Sequence, residues 1–153
     1  VTETPRTHTL RRWLAVAAWT AVISIFSSIP DLQVKAIGGW DFVLRKIAHA
    51  AEFAVLAVLY LRAFATVHQL TPTSRVFWAV FLSTVTAIAD ELHQHFVPGR
   101  CCHPRDVLID WIGVTLGTWW YLKHTARAAR ARRLTSGTDA GDHPLNGSAG
   151  AGG

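Results

Sequence analysis

Four apolar runs alternate with short polar stretches along the chain, and each is long enough to read as a helix rather than a strand. The first extends from Trp13 to Ile29 without a charge and closes at Ser27-Ser28-Ile29-Pro30. There the proline steers the preceding residue away from helical backbone angles. The others cover about 42–64, 76–96 and 106–122. A bilayer core is crossed by about 20 mostly apolar residues in helical form. The pattern therefore predicts an all-α fold, an integral membrane bundle of four transmembrane helices within residues 13–122. Residues 1–12 form a polar leading segment that resembles the start of a secretory signal. The apolar run is long for such a signal and no small-x-small cleavage site follows it, so a retained helix is predicted. Gly38-Gly39-Trp40 predicts a loop with an interfacial aromatic anchor, and Thr66 to Arg75 a second polar loop.

The polar positions inside the apolar runs carry more information than the runs themselves. Lys46, His49 and Glu52 are spaced i, i+3, i+6 and share roughly one face of the second helix, which must point inward. At the end of the third helix Asp90 and Gln94 are i, i+4 neighbours, as are Glu91 and His95. Pro98-Gly99 ends that helix, residues 100–104 turn, and Asp106 opens the fourth helix, where the helix dipole favours a carboxylate. Asp106, Asp110, Gly113 and Gly117 then share a face, and the two glycines allow another helix to approach closely. A charge at the centre of a bilayer costs about 2.5 to 3.5 kcal/mol. Such residues mark a working region.

Composition supports the membrane reading. Of 153 residues, 50% are hydrophobic and 16% charged, with seven Trp, which excludes an ordinary small soluble domain. The net charge of +5 invites a nucleic-acid reading, but the basic residues abut apolar runs or fall between Lys123 and Arg133, with no interleaved aromatic platform. No nucleic-acid partner is expected. With four spans, one side of the membrane holds ten of the 15 Lys and Arg and the other five. The excess predicts a multi-pass protein of the cell membrane with both termini cytoplasmic. Residues 123–153 are then a cytoplasmic stretch, a basic stop signal followed by a Gly- and Ser-rich tail, disordered by composition, from about Thr135. The same topology brings the start of the second helix, the end of the third and the start of the fourth to the outer face. Ser27, Ser28, Lys46, His49, Glu52, Asp90, Glu91, Gln94, Arg100, Arg105, Asp106 and Asp110 can then gather in one cavity open to the outer leaflet.

Three motifs now stand in order: Lys46-x-x-His49-x-x-Glu52-Phe53-x-x-Leu56, Asp90-Glu91-x-x-Gln94-x-Phe96-x-Pro98-Gly99-Arg100, and Asp106-x-x-x-Asp110-x-x-Gly113-x-x-x-Gly117. Together with Phe26-Ser27-Ser28, they make residues 13–122 resemble the VanZ-like family of small bacterial membrane proteins. The resemblance implies a domain proposed to act on lipid head groups or lipid-linked cell-envelope precursors, and a link to low-level resistance to the glycopeptide teicoplanin. The turn departs from the family, with Cys101-Cys102-His103-Pro104 where small polar residues are expected.

Under that resemblance the leading expectation is a lipid head-group phosphoesterase or transferase. Lys46, Arg100 and Arg105 supply cations for phosphate oxygens, and Glu91, His49, Asp90 and Glu52 supply proton transfer, with Glu91 and His49 as the central pair. Burial against lipid favours a neutral carboxyl and a neighbouring cation a charged one, so an acid and a base can coexist. Gln94, Asp106, Asp110, Ser27 and Ser28 support them. The alternatives are a non-catalytic lipid or precursor binding protein, or ion pairs that only fix helix register. No cofactor is expected. Zinc on His93, His95, Cys101, Cys102 and His103 fits no standard spacing, and a divalent ion on Asp90, Glu91 and Asp106 is the other metal option. The absence of broken helices and of an inverted repeat argues against a secondary transporter. The sequence leaves the oligomeric state open.

Overall fold

The computed structural model describes residues 5–29, 40–97 and 104–139. Among these the backbone forms four α-helices and no strand: α1 (Pro5–Ser28), α2 (Trp40–Phe64), α3 (Pro72–His95) and α4 (Pro104–Asp139). Residues 30–39, with the expected Gly38-Gly39 loop, 98–103, with Arg100, Cys101, Cys102 and His103, and 140–153 lie outside the described residues.

All four helices are longer than the apolar pattern suggests, α2 by two residues and the other three for identifiable local reasons. α1 begins at Pro5 rather than Trp13; proline suits a first helical turn because its missing N–H has no intrahelical partner there. α3 begins at Pro72 rather than Val76, because Thr71 caps it. The Thr71 backbone is extended (φ −67°, ψ 158°) and its hydroxyl accepts from the Ser74 N–H at 3.2 Å. At the far end, the expectation of an unstructured tail from Thr135 is corrected, since α4 continues through the basic run to Asp139. Ala126, Arg127, Ala128, Ala129, Arg130, Ala131, Arg132, Arg133 and Leu134 are all strong helix formers, and hydropathy is blind to that property.

Residues 1–121 form one compact unit and 122–153 a second, so α4 contributes its first part to one and the remainder to the other. In the second unit the described side chains, 122–135, are all exposed. In the first, α1 packs on α2 and α3, and α2 on α3. Val16 and Ile23 of α1, Phe53, Leu56 and Ala57 of α2, Ala87 of α3 and Val114 of α4 make one apolar core. A second cluster of Leu61, Phe64 and Ala79 is sealed by Trp13, which meets Phe64 edge-on at 5.2 Å.

The distribution of polarity is inverted relative to a soluble bundle. Ser27, Asp90, Glu91, Gln94 and Asp110 are buried, whereas Phe77, Trp78, Phe81, Val85, Ile88 and Leu92 form an exposed stripe along α3. Such a surface is stable only against lipid or a protein partner. Residues 6–28, 43–64 and 72–95 are long and apolar enough to cross a membrane. α4 falls short of that measure among the described residues because Asp110, Trp111, Gly113, Thr115, Gly117, Thr118, Trp119, Trp120 and Tyr121 dilute its aliphatic residues. It still presents Leu108, Ile112, Leu116 and Trp119 outward. The chain is a helical membrane protein whose polar side chains turn inward.

Candidate functional site

The seam between α2 and α4 sets the geometry. A Cβ built at Gly113 would stand 2.8 Å from the Ala50 carbonyl carbon, and one at Gly117 would stand 2.8 Å from the Ala54 Cα. Any side chain would collide with backbone, so only glycine permits this approach. The close contact brings the acidic start of α4 against the basic start of α2. Lys46 pairs with the Asp106 carboxylate. One turn along, His49 Nδ1 lies 4.0 Å from Asp110 Oδ1 and 3.7 Å from Glu52 Oε2 on its own helix. Those separations are too long for hydrogen bonds. The side chains of Lys46, His49, Glu52 and Asp106 are about four-fifths buried and that of Asp110 almost wholly so.

The wall opposite is built from the ends of α1 and α3. Asp90 Oδ2 accepts from Ser27 Oγ at 2.7 Å and from Gln94 Nε2 at 2.8 Å, and Gln94 Nε2 also reaches Ser27 Oγ at 3.2 Å. All three residues are buried. The triangle is closed: the hydroxyl both donates and accepts, and one carboxylate oxygen takes two donors. Glu91, the next residue on α3, is also buried. Asp90, Glu91, Asp106 and Lys46 all stand within electrostatic range of the Asp110 carboxyl, which joins the two walls into one polar centre.

The residues singled out in the sequence divide as follows. Ser27, Lys46, His49, Glu52, Asp90, Glu91, Gln94, Asp106 and Asp110 come together. Ser28 stands at the rim, where its hydroxyl donates to the Ser24 carbonyl at 2.6 Å and lies 2.9 Å from His93 Nε2. Arg105 is exposed and makes no contact with the centre among the described residues, and Arg100 lies outside them. His93, considered above only as a metal ligand, is the rim residue that sequence reasoning missed. Its i, i+3 relation to Asp90 is the signal that places it beside the Ser27-Ser28 pair. Trp19 adds a further tie, its indole N–H donating to the Glu52 carbonyl at 3.0 Å. Among the described residues no group of three or more His, Cys, Asp and Glu side chains is arranged to hold a metal ion.

Chemically, the two walls differ. Asp90 has one carboxylate oxygen held by two buried donors and serves as a strut. His49 lies between two carboxylates, those of Glu52 and Asp110. Lys46 stands one helical turn before it on α2.

The model of the family described as VanZ/LLP1 matches residues 4–126, a span that contains every residue of this centre. No curated protein and no solved structure matches the chain.

Proposed function

The chain belongs to the VanZ/LLP1 family, and we propose that its buried polar centre acts on the phosphate-bearing head group of a membrane lipid or lipid-linked cell-envelope precursor at the outer face of the cell membrane. The observation that carries this reading is His49, held between Glu52 and Asp110 with Lys46 one turn away, inside a bundle whose helices turn large apolar side chains outward. A phosphoryl centre needs a cation for its oxygens and a group that moves a proton at the nucleophile or leaving group. Lys46 is the inner cation, exchanging Asp106 for a phosphate oxygen, while the exposed Arg105 adds positive charge beside it. His49 and Glu91 handle the proton, Glu52 and Asp110 orient His49, and Asp90 holds the wall with Ser27 and Gln94. The reaction class is phosphoester hydrolysis or head-group transfer, with both chain termini on the cytoplasmic side.

The test is a mass-spectrometric comparison of lipid head groups after membrane lipid extract is incubated with purified protein, beside the Glu91→Gln and His49→Ala variants. Conversion of one lipid species by the unaltered protein, reduced at least about a hundredfold in either variant, is expected for loss of a general acid or base. Turnover retained in both variants refutes the assignment. A family link to glycopeptide resistance adds a cellular readout: expression raises the teicoplanin concentration needed to stop growth, and the Glu91→Gln variant does not.

A second reading is a binding protein without chemistry. It is favoured by the self-pairing of the centre, since Asp106 already neutralises Lys46, and Ser27 and Gln94 occupy Asp90. In that case a lipid co-purifies unchanged, and Glu91→Asp retains it. A catalytic carboxylate tolerates no such shortening.

A further inference from the structure

At the end of the bundle where α1 begins and α2 finishes, three clefts share walls. The largest, about 820 Å³, is bordered by Arg6, His8, Arg12, His68 and Tyr121. Beside it a cleft of about 270 Å³ is lined by His8, Arg11, Arg12, Ala15, Leu59 and Arg62. Leu59 and Arg62 also line a third, an apolar groove of about 390 Å³ between α2 and α4 that runs along Ala54, Val58, Leu116 and Trp120. Among the described residues no carboxylate lines any of the three. A largely apolar trough thus opens, past Arg62, into a cleft bordered by His8, Arg11 and Arg12.

The dimensions match one leaflet. From Ala54 to Arg62 the groove follows about 12 Å of helix, most of the roughly 15 Å depth of half a bilayer core. From Arg12 to Ser27, α1 rises about 22 Å, which separates this end from the polar centre by most of the membrane. The cationic cleft is also organised in advance. Arg12 Nη1 donates to the Arg62 carbonyl at 2.6 Å, which ties α1 to the end of α2. Arg12 Nη2 also lies 3.3 Å from His8 Nε2, and two such contacts orient a guanidinium without exhausting its five N–H donors.

We infer that this end is a second lipid site, on the leaflet opposite the polar centre. It takes an anionic glycerophospholipid, with its phosphate among Arg11, Arg12 and Arg62 and one acyl chain in the α2–α4 groove. Charge complementarity selects the head group, because a zwitterionic lipid brings a cation into a cleft that already holds several. The groove selects a lipid over a free anion. The inference stands apart from the chemistry of the polar centre, since it shares no residue with it.

The test uses the full chain in detergent, passed through delipidating gel filtration after addition of phosphatidylglycerol or phosphatidylcholine with identical acyl chains; native mass spectrometry counts the lipids retained. Phosphatidylglycerol is retained and phosphatidylcholine is not, and salt weakens the retention. Neutralising Arg11 and Arg62 together (Arg11→Gln, Arg62→Gln) weakens it about 25-fold, at about fivefold per cation near a lipid phosphate. Val58→Trp, which fills the groove and leaves every charge in place, weakens it as well. Equal retention of the two lipids overturns the inference, and so does undiminished retention by the double variant. Displacement of phosphatidylglycerol by equimolar inorganic phosphate also overturns it, because the site is then one for free anions. Should the double variant lose its helical circular dichroism, the head-group preference of the unaltered protein and the Val58→Trp result still decide.

Discussion

At one end of the bundle Asp90, Ser27 and Gln94 close on one another and Lys46 closes on Asp106, while at the other Arg11, Arg12 and Arg62 border clefts with no carboxylate among the described residues. Both ends belong to the unit of residues 1–121 and both draw on α1 and α2. They differ in how charge is distributed over facing helices. Interleaving both signs on α2 and α4 lets the fold satisfy its own polar groups, which suits a centre that must stay ordered inside a membrane. Collecting one sign leaves the balance to come from outside, which suits a surface that meets an anionic leaflet. Rigidity belongs to the first arrangement and recruitment to the second.

The largest effect that separates the ends is expected at the seam. Gly113→Leu forces α4 off Ala50 and dismantles the polar centre, at a cost of about 3 kcal/mol in a chemical unfolding titration in micelles. Lipid retention at the cationic end is read in the same preparation. Asp90→Ala comes next, since it leaves the Ser27 hydroxyl and the Gln94 amide buried without their acceptor; about 2 kcal/mol is expected, and Asp90→Asn, which keeps an acceptor oxygen, costs roughly half of that. A double-mutant cycle on Lys46→Gln and Asp106→Asn should return a coupling of about 1 kcal/mol, as fits a pair that is not fully desolvated. Zero coupling in low salt contradicts the self-pairing of the centre. The smallest effects are expected where nothing is satisfied. Arg62→Gln changes stability by no more than about 0.5 kcal/mol, and so does Ser83→Ala, because the buried Ser83 hydroxyl makes no hydrogen bond among the described residues. A large loss in either variant erases the contrast between the two ends.

Much of the polar centre was legible before any coordinates. The i, i+3, i+6 spacing of Lys46, His49 and Glu52 states a face, and Asp90 with Gln94 states an i, i+4 contact that the structure contains at 2.8 Å. Spacing within one helix cannot state which residue of another helix it meets. The partners of Lys46 and His49 depend on how α4 crosses α2, and that is decided by Gly113 and Gly117 against Ala50 and Ala54. The exposure of Arg105, although it adjoins Asp106, has the same origin: neighbours in a helix point about 100° apart. The helix ends were misjudged wherever apolar character was used as the measure of helicity. Pro5, the Thr71 cap and the Ala- and Arg-rich stretch after Leu122 build helix from polar or small residues. The clefts of the cationic end left no trace in any pattern, because they arise from three separate segments meeting.

The glycine seam also indexes the whole arrangement. Sliding α4 one turn in one direction would set Tyr121 over Ala54, and sliding it one turn the other way would set Ile109 over Ala50. Neither fits, so a single alignment of the two helices survives on backbone shape alone, and it is the one in which Lys46 meets Asp106. The charged residues do not have to hold the frame in place. They are cargo mounted on it, and a lineage can exchange one acid or base for another, trying new chemistry, while the scaffold beneath keeps its alignment.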